Sequence, residues 1–282
     1  MNISASIPLG KQTQYPQTYD PDQLYPVARA PKRADLGLGD DLPFKGEDIW
    51  NAYEISWLNT RGKPVAALGR FRFPCTSSHI VESKSFKLYL NSFNQSRFAS
   101  VTEVHSLMQQ DLSRAVEAPV QVELFPLTDG AAFPDSWHIV TLSGTCLDHL
   151  DIGIDCYQTN PELLSGSSGA RNKTTPVHET LYSHLLKSNC LITAQPDWAS
   201  IWIEYRGYQI EHSALLRYLI SFRQHNEFHE QCVERIFSDL WHHCELEALS
   251  VYARYTRRGG LDINPWRSTG CSQAPDWRLV RQ

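Results

Sequence analysis

Over residues 200–205 the chain alternates, with Ile201, Ile203 and Tyr205 set against Ser200, Trp202 and Glu204. That is the two-residue period of a strand with one buried face. An Arg206-Gly207 pair followed by Tyr208-Gln209-Ile210 predicts a β-hairpin turning at this point. The period then changes. Cys232, Val233, Ile236, Phe237, Leu240 and Trp241 recur at three- and four-residue spacing, one apolar face of a helix that starts near Phe228 to Glu230. Leu249, Val251, Ala253 and Tyr255 alternate again, predicting a strand that stops at Arg257-Arg258-Gly259-Gly260. The first half has the same order: hairpin strands near Tyr53 to Leu58 and Val65 to Phe73, a helix near Val101 to Ala115, and a strand near Val120 to Phe125. Strands, then helices, then strands is an α+β pattern.

The halves are also alike in letters. Tyr89-Leu90-Asn91-Ser92-Phe93-Asn94-Gln95 returns as Tyr218-Leu219-Ile220-Ser221-Phe222-Arg223-Gln224, a shift of 129 positions (218 less 89). The same shift carries Phe73 onto Trp202 and Glu82 onto Glu211. Two copies of one domain follow, expected at residues 44–160 and 178–282. Pro8 to Pro43 shows no sustained period and reads as a surface arm, so residues 1–43 stand apart. Ser165 to Pro176 has a linker composition, which places a connection at 161–177.

Composition narrows the function classes. With 41% apolar and 20% charged residues over 282 positions, the chain is globular. Its 26 basic against 31 acidic residues give a net charge of −5, which removes the basic field that direct nucleic-acid binding needs. No apolar run is long enough to span a membrane and no secretory leader opens the chain, so a cytoplasmic protein without membrane contact is expected. Seven cysteines without a Cys-x-x-Cys spacing fit neither a disulfide framework nor paired zinc ligands.

Several places could carry chemistry. Glu82-Ser83-Lys84-Ser85-Phe86-Lys87 brings a carboxylate, a hydroxyl and two ammonium groups to a helix start; it could bind a polar ligand, or Glu82 and Ser83 could simply cap the helix. Cys190 precedes Asp197 by seven residues, and the bland alternatives are a core thiol and a turn residue after Pro196. A cysteine nucleophile reacts as the thiolate, so that role calls for a nearby cation or hydrogen-bond donors. His225 and His229 would share a helix face, but no third ligand is nearby, and a metal site is not expected. Glu230 offers a carboxylate that can accept two parallel N–H bonds from a guanine-like or pterin-like edge, or one that merely complements the helix dipole. Arg254-Tyr255-Thr256-Arg257-Arg258-Gly259-Gly260 sets guanidinium groups before glycines that allow close phosphate approach. Gly37-Leu38-Gly39-Asp40 lacks the third glycine and the preceding strand of a dinucleotide fingerprint.

Taken together, Glu82 to Tyr89, Ser188-Asn189-Cys190 with Asp197, and Phe228-His229-Glu230 resemble the NADPH-dependent 7-cyano-7-deazaguanine (preQ0) reductases of queuosine biosynthesis, in their long two-module form. The resemblance covers nearly the whole chain. It implies two tandem tunnelling-fold modules, antiparallel sheets with helices packed on one face, and a homodimer. It makes Cys190 the nucleophile on the nitrile carbon, forming a thioimide, and Asp197 the proton donor. To donate near neutral pH the acid must be desolvated, and Trp198 is placed to help. Val81, Glu82, Ser83, His229 and Glu230 would hold preQ0, and Ser83, Lys84, Arg258 and Gly259 would hold NADPH. The repeat sets Arg61 and Leu68 where the second half has Cys190 and Asp197, so one composite site per chain is expected and Cys75 is no second nucleophile. Two other functions stay open on residues alone: a tunnelling-fold cyclohydrolase acting on a purine or pterin, and a non-catalytic purine-binding module in which Cys190 is a core thiol.

Overall fold

The computed structural model describes residues 15–128, 137–165 and 175–282. The first 14 residues of the expected arm and residues 166–174 of the expected linker lie outside the described residues. The alternating segments build one sheet. β2 (Lys45–Leu58) and β3 (Pro64–Pro74) form a hairpin, with β5 (Gln121–Pro126) outside β3. From the second half come β7 (Val177–Asn189), β8 (Pro196–Gly207), β9 (Leu246–Tyr255) and β10 (Leu261–Ser268). The order is β5-β3-β2-β10-β9-β8-β7-β6, where β6 is the short Thr145–Cys146. Every pairing in it is antiparallel except that of β6 with β7. β10 runs beside β2 from Leu261↔Ala52 to Ser268↔Lys45, so strands from both halves share one hydrogen-bonded layer.

Helices cover one face. Trp50, Ala52, Phe71 and Phe73 pack on α2 (Ser83–Ser92) and α3 (Val101–Val116) through Phe86, Tyr89, Val104 and Met108. Ile201, Ile203, Val251 and Ala253 pack on α4 (His212–Ser221) and α5 (His229–His243) through Leu215, Leu219, Val233 and Ile236. The intervening residues Ile49, Trp202, Tyr252 and Trp266 form a smaller apolar cluster on the opposite face with Leu279, as the pleat requires. The repeated letters have a physical reason. Tyr89 donates to Asp111 at 2.8 Å and Tyr218 to Asp239 at 2.6 Å, tying the first helix of each pair to the second. Ser92 and Ser221 each bond back to that tyrosine's carbonyl at 2.6 Å, and Phe93 and Phe222 meet the tyrosine ring edge-on.

Three expectations change. No hairpin turns at Arg206-Gly207: β8 runs through both residues between β7 and β9, and its hairpin turn is the earlier Cys190–Gln195. β7 hid because a bulge between Ser183 and Leu186 interrupts its alternation, and β10 because all eight of its residues are buried. The arm is not merely superficial. Its β1 (Pro26–Ala28) pairs with β4 (His79–Val81), and α1 (Ala30–Asp35) follows. Arg29 is 2% exposed and lies 2.5 Å from Asp48, while Arg33 reaches Glu234 at 2.7 Å.

Candidate active site

The β7–β8 hairpin brings the thiol and the acid together. Its ladder closes with Ser188↔Asp197 and Asn189↔Pro196, so Cys190 opens the turn as Asp197 enters the strand beside it. The turn is fastened at both ends of Cys190, whose N–H donates to Gln195 O at 2.9 Å and whose carbonyl accepts from Ala194 at 3.0 Å. Both Cys190 and Asp197 are buried. The N-terminus of α5 closes on them: His229 Nε2 lies 3.3 Å from Asp197 Oδ2. From the turn after β9, Arg258 Nε lies 3.1 Å from Asp197 Oδ1. Asp197 is thus desolvated but sits between an imidazole and a guanidinium. Trp198 does not shield it; the alternation of β8 turns that ring to the other side, where Arg223 covers it at 5.5 Å.

These groups line one narrow pocket with a cavity volume of about 30 Å³. Val81, Ser83, Cys190, Asp197, His229, Glu230 and Arg258 all reach it. Glu230 is one of those left with an unpartnered polar atom. It is 2% exposed, its Oε1 has no hydrogen-bond partner among the described residues, and burial, then the nearby Asp48 charge, push its carboxyl up to about 7. A buried acceptor left free at a pocket wall suits a ligand that brings N–H donors. Glu82, Lys84 and Gly259 do not line this pocket. Glu82 is wholly buried as the N-cap of α2, accepting from the Lys84 and Ser85 N–H groups at 2.8 Å each, which is the capping alternative. Gly259 lines an adjoining hollow that shares Lys87 and Leu261 with the pocket.

Other lining residues were given no role at the site by the sequence reading, although Lys87 stood in its first motif. Lys87 projects into the pocket, and burial, then the Arg258 charge, lower its pKa. Its signal was present, since Ser83 and Lys87 are four apart and share a helix face. Glu227 is held by Arg235 at 2.9 Å and His225 at 2.8 Å; burial alone would raise its carboxyl, but those hydrogen bonds outweigh it and hold it down. His225 therefore precedes α5 rather than sharing its face with His229. Among the described residues no group of His, Cys, Asp or Glu is arranged to hold a metal ion. Nor is any helix there long and apolar enough to cross a membrane.

Known proteins share this sequence along its length. A family model described as "Nitrile reductase, 7-cyano-7-deazaguanine-reductase N-term" matches residues 15–124, and one described as "QueF-like protein" matches residues 196–274. The NADPH-dependent 7-cyano-7-deazaguanine reductase of Dechloromonas aromatica (strain RCB) is 57% identical over 281 residues, covering 99% of this chain and 96% of that protein. The protein of the same name from Colwellia psychrerythraea (strain 34H / ATCC BAA-681) is 55% identical, covering 99% of this chain and 96% of its own length. That from Desulfotalea psychrophila (strain LSv54 / DSM 12343) is 51% identical, covering 100% and 99%.

Proposed function

The chain belongs to the NADPH-dependent 7-cyano-7-deazaguanine reductases, and from that premise we propose how its residues reduce a nitrile to a primary amine. The observation that carries the reading is the single pocket in which Cys190, Asp197, His229 and Glu230 meet Val81, Ser83 and Arg258.

In this reading the Cys190 sulfur adds to the nitrile carbon and Asp197 delivers the proton to nitrogen, so one C–N π bond is exchanged for a C–S bond in a thioimide. A nitrile carbon is a poor hydride acceptor, and the protonated C=N bearing sulfur is a better one. Hydride transfer and loss of the thiolate leave an imine, which a second hydride and proton convert to the amine. Two NADPH are consumed per nitrile. Asp197 must hold a proton when the nitrile arrives, and His229 at 3.3 Å is the neighbour able to relay one. Glu230 and His229 take the deazaguanine edge, Val81 and Ser83 complete that wall with Glu82 holding the start of α2 behind them, and the product feeds queuosine synthesis for tRNA.

NADPH supplies the hydride when bound. Arg258 Nη1 is buried with no hydrogen-bond partner among the described residues, and the adjacent Lys87 ammonium gives the pocket a second cation, both suited to an anionic dinucleotide. Ser83 stands beside them, with Lys84 and Gly259 as contacts to the more distant part of the cofactor. The repeated helix pairs support two tandem tunnelling-fold modules, divided as the sequence suggests. The sheet ends at β5 on one side and at β7, paired over only two residues by β6, on the other. Open edges of that kind are completed by strand pairing, which supports a homodimer.

The test is direct. Wild-type protein incubated with preQ0 alone gains the mass of one nucleobase, and adding NADPH discharges it with two NADPH oxidised per preQ0. Cys190→Ala gains no mass and shows no turnover, while ligand still raises its melting temperature. Full turnover by Cys190→Ala rejects covalent catalysis.

A further inference from the structure

β9 and β10 part company just behind the pocket. Their register covers only Ser250↔Ser268 to Tyr252↔Trp266, beyond which β10 is paired on its β2 side alone. The Tyr255 peptide at the end of β9 therefore faces a gap where a neighbouring strand would ordinarily take its N–H and C=O. Two side-chain amides fill that gap. Tyr255 N–H donates to Asn264 Oδ1 at 3.1 Å, and Tyr255 C=O accepts from Gln282 Nε2 at 3.1 Å. Gln282 Nε2 also donates to Asn264 Oδ1 at 2.7 Å, locking the two amides together. The strut is anchored outward as well: Asn264 Nδ2 donates to Ile49 O at 3.0 Å, and Gln282 Oε1 accepts from Arg254 Nε at 2.8 Å and from Leu279 N at 3.1 Å. Tyr255, Asn264 and Gln282 are all buried.

On the helix face the Tyr255 ring lies flat against His229, with centroids 3.7 Å apart and planes 4° from parallel. His229 in turn meets Asp197. We propose that Gln282 and Asn264 are positioning residues of the reaction: their amides fix the Tyr255 peptide, so that its ring holds His229 between Asp197 and the nucleobase. This rests on the roles given above to His229 and Asp197. Removing one amide lets the end of β9 settle toward the gap and carries the ring, and with it His229, off line. A misplacement on the order of 1 Å in such a site costs up to about a hundredfold in rate.

Gln282→Glu keeps an acceptor for Arg254 and Leu279 and replaces the donor shared by Tyr255 and Asn264 with an oxygen that repels both. Its kcat and KM are measured for preQ0 and NADPH separately, with the rate of adduct formation by intact mass in preQ0 alone and the melting temperature. The expected result is about a tenfold fall in kcat/KM for preQ0 and in adduct formation, with the KM for NADPH unchanged and the fold intact. Gln282→Asn, which keeps the amide but shortens its reach, should fall between wild type and Gln282→Glu. Wild-type kinetics in Gln282→Glu, a lowered melting temperature with unaltered kinetics, or failure of both variants to fold would each overturn the proposal. His229→Ala serves as the reference: if it retains full activity, the reading of the site itself fails, whereas an impaired His229→Ala beside an unimpaired Gln282→Glu refutes the strut alone.

Discussion

Glu230 is a side chain whose charge the fold works against. Burial and Asp48 favour its neutral form, and His229 and Arg29 oppose them without prevailing, so the carboxyl titrates at about 7 rather than at its ordinary 4.5. The folded state therefore binds a proton more tightly than the unfolded chain. That contribution is fully present below about pH 4.5 and is lost as the pH rises through about 7. Glu230→Gln removes the dependence, and urea unfolding should find the ligand-free variant more stable than wild type by on the order of 3 kcal/mol at about pH 8, with little difference at about pH 4. A nucleobase presenting N–H donors favours the carboxylate, so binding near pH 6 should release a proton in wild type and not in the variant. Calorimetry in buffers of different ionisation heat reads this, and identical heats in every buffer would rule it out. Residue identity at this site was legible from motif order; helical phase was less so. Lys84 stands next to Ser83 in the motif but is turned by about 100° around the helix, while Lys87 returns to the pocket face.

The turn joining β9 to β10 shows how an element supplies what a residue needs. Arg258 can reach Asp197 because Gly259 and Gly260 follow it at φ +58 and +68, the left-handed region that favours glycine. A Cβ at Gly260 would stand 2.4 Å from the Glu54 carboxyl carbon, so Gly260→Ala adds a clash to backbone strain of about 1–2 kcal/mol. The expected outcome is a lower melting temperature together with a fall in kcat/KM, while Gly39→Ala, which meets nothing within 4 Å, leaves both unchanged. Equal behaviour of the two variants would separate the turn from the site. The sequence announced this turn through its paired arginines and glycines, but not the strand beyond it. β10 buries Asp262, Asn264 and Arg267 alongside Leu261 and Ile263, so a pattern of apolar and polar letters carries no period there. The Arg206-Gly207 pair misled for the opposite reason. Gly207 has a φ of +155 within a strand, where a Cβ would meet Glu245 O at 2.5 Å, so this glycine admits a close neighbour rather than a turn.

At the scale of the whole molecule, the repeat suggests two units, and the contacts between them suggest one cooperative body. β10 and β2 share eight register positions across the halves. Behind that seam lies a buried ion cluster: Arg267 bonds to Glu234 at 2.8 Å and lies 2.8 Å from Asp48, Arg29 bonds to Asp48, and Arg33 bonds to Glu234. Burial alone would raise the Glu234 carboxyl, but Arg267, Arg33 and Arg29 outweigh it and hold it at about 2. The cluster joins the first 43 residues, β2, β10 and α5, and none of these pairings could be foreseen locally, because partners such as Arg33 and Glu234 lie about 200 positions apart. Removing one member of such a cluster leaves a buried charge unpaired and costs about 3–5 kcal/mol. If the halves were independent, Arg267→Met would weaken only one of two transitions. With the seam as described, wild-type unfolding in urea should give a single midpoint by far-UV circular dichroism and by tryptophan fluorescence, because Trp50, Trp57, Trp202 and Trp266 report from both halves. Arg267→Met should move that one midpoint downward for both probes together. Two separable transitions, with only one displaced by the substitution, would mean that the shared sheet does not couple the halves.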